Sequence, residues 1–277
     1  MSTDVALEPV LSPADIAQFH EQGYVVVKGA ISRDVAEHYR QVLLGLIPSG
    51  LEIPVSWGSH EGRIKPMRDS GSHTFDTPDL IPLMTNPTLY AAASQLLESS
   101  RLRVLDGSVG ITIRNAAHGD KPLSQTLHID ASVPNTVDDF ASTVQELQIG
   151  GCYYLTDVAE NGGGIHVVPG GHKIVEAEAR AAGGGGRHLH ANWKKIEHLD
   201  SVEITGGAGD FALVHHLMPH GASHNRNATT RVAYFVRWVR DDQLHGAGQE
   251  PPHQAYDDAQ REAMGDLGRR LFGVDAW

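Results

Sequence analysis

The feature that most constrains this chain is the texture of its second half, from residue 102 onward. Short apolar or alternating runs recur there: RLRVLDGSVGITIR, ELQIGGCYYLTDV, GGIHVVPG, SVEITGGAGDFALVHHL and TRVAYFVRWV, each bounded by Gly, Pro, Asn or Asp. Runs of that length with turn residues between them read as strands of a sandwich or barrel. Helical texture comes first. Ser12 is placed to cap a helix that opens at Pro13, with Asp15 in its first turn, and Gly23 ends it before the β-branched run Tyr24-Val25-Val26-Val27. Ser32 and Asp34 start a second helix, with Val35, Tyr39, Val42, Leu43 and Leu46 at helical spacing, and residues 87–98 read as a third. Residues 48–77 and 173–200 read as loop or lid segments, the second carrying Gly183 to Gly186, and residues 241–277 as a tail that closes in a helix. The expectation is a single domain over 1–277, mainly β with flanking helices.

Composition narrows the function. With 22 basic and 34 acidic residues the formal net charge is −12, which argues against the basic stripe of a nucleic-acid surface. One cysteine, Cys152, rules out an intramolecular disulfide and a cysteine-based zinc cluster. No apolar run approaches a membrane span, and MSTDVALEPV lacks the pattern of a secretory leader, so a soluble, cytoplasmic protein is expected, and the acidity leaves room for a cationic or neutral small-molecule substrate without proving one. The unusual count is 17 histidines.

Two histidines and one carboxylate can hold Fe(II) on one face and leave positions open for other ligands. On a strand, His-x-Asp puts two such donors side by side. The motif alone is not diagnostic: 17 His and 20 Asp in 277 residues give about one by chance. The chain has three, His118-Gly-Asp120, His128-Ile-Asp130 and His198-Leu-Asp200. The first has turn composition, the third follows a polar stretch, and the second enters the β region. Farther on stand His215, His216, His220 and His224; neighbours such as His215 and His216 cannot both face one site from a strand.

Taken in order, the motifs resemble the phytanoyl-CoA dioxygenase family of Fe(II)/2-oxoglutarate oxygenases. They are LSPADIAQFHEQGYVVVKG, His128-Ile-Asp130, ENGGGIHVVPGGH (160–172), GDFALVHHLMPHGASHN (209–225) and Arg231. The resemblance spans about residues 11–240. It implies a double-stranded β-helix (jelly roll, cupin-like) core. It also implies Fe(II) on His128, Asp130 and His220, 2-oxoglutarate as cosubstrate with its distal carboxylate on Arg231, and O2. Ser223 is a candidate for the same carboxylate, one place later than the family's usual serine; Thr112, Arg114 and Gln125 are candidate cosubstrate contacts. Leu127 stands where many members have Trp. The implied reaction is hydroxylation of an unactivated C–H with release of succinate and CO2; desaturation and cyclisation share the chemistry. Asp130 speaks against halogenation, because related halogenases lack that carboxylate.

Substrate contacts are expected from the two loop segments: Trp57, Arg63, Lys65 and Arg68 in the first, Arg187, His188, His190 and Trp193 in the second. His172 and Asp210 are expected to be structural, and Cys152 a buried inert thiol. Two readings from other classes compete, a non-catalytic jelly-roll binding protein and a metal-dependent hydrolase or isomerase. The intact set His128, Asp130, His220 and Arg231 argues against the first, and Arg231 in particular against the second, which needs no carboxylate anchor there.

Overall fold

The computed structural model describes residues 8–47, 58–60, 62–66, 75–114, 123, 127–129, 148–181, 199–243 and 256–277. Helix α1 (Pro13–Gln22) begins as its sequence dictates. The Ser12 hydroxyl accepts from the Asp15 amide at 3.2 Å, and the Asp15 carboxylate accepts from the Ser12 amide at 2.9 Å. Gly23, at φ 80°, ends it and turns the chain into strand β1 (Tyr24–Val27). Helix α2 (Arg33–Leu44) is capped by Ser32, and α4 (Pro87–Leu97) by Asn86, after a short α3 (Ile81–Met84) that has no clear signal in the sequence.

The strands form two sheets. β2 (Gly58–His60), β3 (Arg63–Lys65), β4 (Leu102–Thr112), β5 (Gln148–Tyr154), β8 (Phe211–His215) and β10 (Arg231–Arg240) join β1 in a sheet ordered β1-β8-β5-β10-β4-β3-β2. β6 (Ile165–Val167), β7 (Val202–Glu203) and β9 (His220–Ala222) form a smaller one ordered β7-β6-β9. Every strand pair is antiparallel. This is the jelly-roll arrangement expected.

Period-two alternation sorts each strand of the large sheet between two cores. On β10, Val232, Tyr234, Val236 and Trp238 join the outer core, which packs against Leu43, Leu83, Met84 and Leu89 from the helices. Ala233 and Phe235 face inward and share the inner core with Cys152, Tyr154 and Ala212 and with Ile165, Val167 and Met218 of the opposing layer. The second core is the lining of the jelly roll.

Two expectations need correction, and the closing helix is found where the tail was expected to form one. Residues 58–60 and 63–65, read as loop, pair as the hairpin β2–β3 and extend the sheet beyond β4. The segment read as lid from 173 begins with a helix, α5 (Gly171–Ala181); residues 182–198 lie outside the described residues. The closing helix, α6 (Asp258–Leu271), packs against α3 and β4 of its own chain, with Met264, Leu271 and Phe272 in the outer core. Among the described residues no helix is long and apolar enough to cross a membrane.

Candidate active site

His128 and His220, 92 residues apart in sequence, are neighbours in space. Their backbones exchange N–H···O bonds of 2.8 Å in both directions, an antiparallel bridge that lays residues 127–129 along β9. Directly opposed residues in such a pair project to the same side, and the two imidazole centroids lie 4.4 Å apart. The Nδ1 of His220 is 2.9 Å from the Met218 carbonyl. A carbonyl only accepts, so Nδ1 carries the proton and Nε2 keeps the lone pair a metal requires. Asp130 and Gln125 lie outside the described residues. Among the described residues there is no cluster of three or more His, Cys, Asp or Glu side chains able to hold a metal. The fit is therefore judged on the two histidines, whose rings meet and one of which has its tautomer fixed by the backbone.

Arg231 opens β10 and sits opposite Thr112 at the end of β4. It is only 2% exposed, its Nη2 donates to the Thr112 hydroxyl at 3.1 Å, and its buried Nε has no hydrogen-bond partner among the described residues. The guanidinium carbon stands 5.8 Å from the centre of the Phe235 ring. A charged group this deep is costly unless an anion meets it. Behind it Asn225, fully buried, donates to the carbonyls of Thr112 and Thr229 at 3.0 and 2.7 Å and fixes the turn that brings β9 back into β10. Arg63 stands across Thr112 on the other side, on β3, so both guanidiniums share one register row. Burial pushes the Cys152 thiol up to about 12, while Arg231 and Arg63 pull it the other way, so both charges act on the inner core. At that value the thiol is inert, as expected.

The inward-facing residues grade in exposure along the strands. Thr112, Gly110, Ala233, Tyr154, Cys152 and Ala212 are buried; Ser108 and Phe235 are half-buried, and so are Asp106, Arg237, Gly150, Val214 and Tyr24 beyond them. On the opposing layer Asn225 is buried and His220 half-buried. Among the described residues the lining is thus more buried at the arginine end and more exposed at the histidine end.

The other candidates divide. Thr112 meets Arg231 directly. The Ser223 hydroxyl donates to the Gly164 carbonyl at 2.5 Å, so it is spent on the fold of the small sheet. Arg114 bridges Asn225 by its backbone. Arg63 is described, and Lys65 two residues on shares its face of β3. Trp57, Arg68, Arg187, His188, His190, Trp193, His118, Asp120 and His198 lie outside the described residues. His172 is a packing residue: its Nε2 lies 3.2 Å from the His20 carbonyl and its ring 4.8 Å from that of His215. Asp210 ties a turn. Burial alone would raise its carboxyl, but Lys28 and the amides of Gly29 and Gly207 outweigh that and hold it below the usual range. Sequence reasoning missed the ion pair of Arg237 with Asp106, although the alternation Arg231, Ala233, Phe235, Arg237 was there to put Arg237 on the inward face.

Similarity to known proteins agrees with this geometry. The carbocyclase SnoK, described as a non-heme α-ketoglutarate-dependent enzyme from nogalamycin biosynthesis, superposes with a TM-score of 0.62 at 21% identity, covering 92% of this chain and 98% of its own. The epimerase SnoN, solved with Fe3+, α-ketoglutarate and nogalamycin RO, gives 0.60 at 20% identity over 88% and 91%. HygX from Streptomyces hygroscopicus, solved with nickel, 2-oxoglutarate and hygromycin B, gives 0.56 at 16% identity over 83% and 88%. None of the curated protein sequences matches. The family model described as phytanoyl-CoA dioxygenase (PhyH) matches residues 19–233, which takes in both bridged histidines and the buried arginine. The chain therefore belongs to the phytanoyl-CoA dioxygenase (PhyH) family of iron- and 2-oxoglutarate-dependent oxygenases.

Proposed function

We propose that this protein is an Fe(II)- and 2-oxoglutarate-dependent dioxygenase that hydroxylates an unactivated C–H bond of a small-molecule metabolite, releasing succinate and CO2. The observation that carries the reading is Arg231, a guanidinium 2% exposed whose Nε has no hydrogen-bond partner among the described residues, at the buried end of a lining that also holds two bridged histidines. A binding protein or hydrolase has no use for that charge; a dicarboxylate with one end on a metal does.

In this reading His128, Asp130 and His220 hold the iron. The oxidant is O2, which bound iron would activate with the two electrons released as the keto acid is decarboxylated to succinate, and the chain supplies placement. Arg231 receives the distal carboxylate through its planar fork, which suits two parallel N–H···O bonds. Thr112 fixes the guanidinium by accepting from Nη2. Met218 fixes His220 through its carbonyl. Ile165, Val167, Ala212 and Ala233 make the walls between them apolar and keep bulk water away from the reacting carbon.

The test is aerobic turnover of 2-oxoglutarate by the iron-loaded protein against a metabolite panel, run under labelled oxygen. Succinate and an alcohol product both carrying the label support hydroxylation. Succinate with an unlabelled, isomerised or cyclised product moves the reaction to the chemistry that SnoN and SnoK are named for. No succinate under any condition, with no iron bound, overturns the reading.

A further inference from the structure

Among the described residues, the inward face of the large sheet carries an ion pair that the reaction above does not use. Arg237 donates through Nε to Asp106 at 3.0 Å, and its Nη2 contacts the other carboxylate oxygen. The two are cross-strand partners, on β10 and β4. Arg237 is six residues from Arg231 on one strand, and Asp106 six from Thr112 on the other. At strand rise this is about 20 Å from the buried end. Asp106 and Arg237 are half-buried, as is His220 on the opposing layer, so the pair lies toward the more exposed end of the lining.

Two local features show that the pair is built into this position. The pairing of β10 with β4 slips immediately after Arg237, from Asp106 to Val104, leaving Leu105 as the extra residue of a bulge. A bulge re-aims the side chains beside it and is common next to active sites. On the other flank of Arg237 is Gly150, where an added Cβ would lie 2.7 Å from the Arg237 Cγ. The absence of a side chain there gives the arginine stem its bed. The pair stays about a quarter exposed, 26% for Arg237 and 24% for Asp106, so it is in reach of a ligand. Phe235 lies one step deeper on β10, and Tyr24 ends the same row on β1, across Gly150 and Val214.

We propose that Asp106 and Arg237 are the substrate-reading pair of this enzyme and select a neutral, hydroxyl-rich molecule, such as a sugar or cyclitol ring or a glycoside. The inference rests on the dioxygenase reading and adds the substrate class to it. The argument is electrostatic. The arginine's charge is already met by a carboxylate held side-on, so an incoming monoanion would have to break a bidentate pair to gain another. A cation faces the same obstacle at Asp106. Adjacent hydroxyl groups both donate and accept, and so can hydrogen-bond to a carboxylate and a guanidinium together without separating them. Phe235, one step along β10 on the same face, supplies flat surface for the C–H face of such a ring.

The test follows succinate release from 2-oxoglutarate by the iron-loaded enzyme with three probe sets: methyl and aryl glycosides with inositols, straight-chain monocarboxylic acids, and alkanes bearing a single hydroxyl. The expected result is stimulation by members of the first set. In Asp106→Asn and in Arg237→Gln the apparent KM for those members rises tenfold or more, while the KM for 2-oxoglutarate moves less than threefold. The exchange variant Asp106→Arg/Arg237→Asp separates reading from architecture: it is expected to regain the thermal stability lost in the single variants without regaining the KM. Full recovery of KM in the exchange, or stimulation confined to the acids or the mono-alcohols, overturns the proposal. So does no stimulation by the first set in protein that still forms the visible charge-transfer band of bound iron and 2-oxoglutarate. Absence of the band itself counts against the dioxygenase reading instead.

Discussion

At the scale of single residues, the decisive groups are those whose burial is costly without a ligand. Arg231→Leu is expected to raise the KM for 2-oxoglutarate on the order of a hundredfold, the equivalent of a few kcal/mol for a desolvated charge contact. The substrate KM should move far less, and initial-rate kinetics with each varied in turn checks both. His128→Ala and His220→Ala are expected to lose iron, measured by metal analysis after desalting, with far-ultraviolet circular dichroism unchanged. Asp210 predicts a pH effect. Its folded carboxyl is held below the unfolded value, so its contribution to stability is fully present above the unfolded value and is lost as pH falls through the folded one. Thermal melts of the wild type should lose stability on acidification through the carboxylate range, and Asp210→Asn should be less stable at neutral pH and show a shallower acid slope. Much of this was legible beforehand: His128, His220 and Arg231 follow from ordered motifs. Ser223 shows the limit, because a hydroxyl reaches a carbonyl across the small sheet as easily as a ligand, and nothing in the spacing says which. Arg237 was legible by alternation, but its partner Asp106 depends on the register between two strands that lie far apart in sequence.

At the scale of elements, turns matter more than strands. Gly23 holds φ at 80°, and an added Cβ would fall 2.3 Å from the Met218 Cε and 2.4 Å from the His172 Nδ1. The residue that ends α1 therefore touches the one whose carbonyl orients His220. Gly23→Ala is expected to cost about 1–3 kcal/mol of stability from backbone strain and to weaken iron retention as well. Chemical denaturation and metal analysis check the two effects separately. The helices α1, α2 and α4 were readable because caps and periodicity coincide within one segment. The hairpin β2–β3 was not, because three-residue strands are too short to show alternation and owe their existence to the exposed edge of β4. The start of α5 was hidden by the glycines that follow it in the chain.

At the scale of the whole molecule, the large sheet serves two cores at once: helices cover its outer face, and the inner face is left for chemistry. The C-terminal helix belongs to the first task. Met264, Leu271 and Phe272 are buried in the outer core, and Trp277 stacks on Tyr90 with ring centres 6.0 Å apart while its indole donates to the Leu102 carbonyl. Each such apolar side chain is worth about 1.5–3 kcal/mol, and a domain's net stability is about 5–15 kcal/mol. A chain ending at residue 255 is accordingly expected to melt at least 10 °C lower or to aggregate, as differential scanning calorimetry would record. The jelly roll as a class could be read from the strand texture, but which face of the sheet the helices cover could not, since that depends on how segments distant in sequence pack together.

The grading of the lining from buried to half-exposed has a consequence for traffic. In the proposed reading, whatever docks on Arg231 is expected to arrive before anything settles near Arg237, and to wait for that later arrival to leave. Crowding the doorway then imprisons the spent dicarboxylate, so an excess of the molecule to be oxidised would throttle its own consumption.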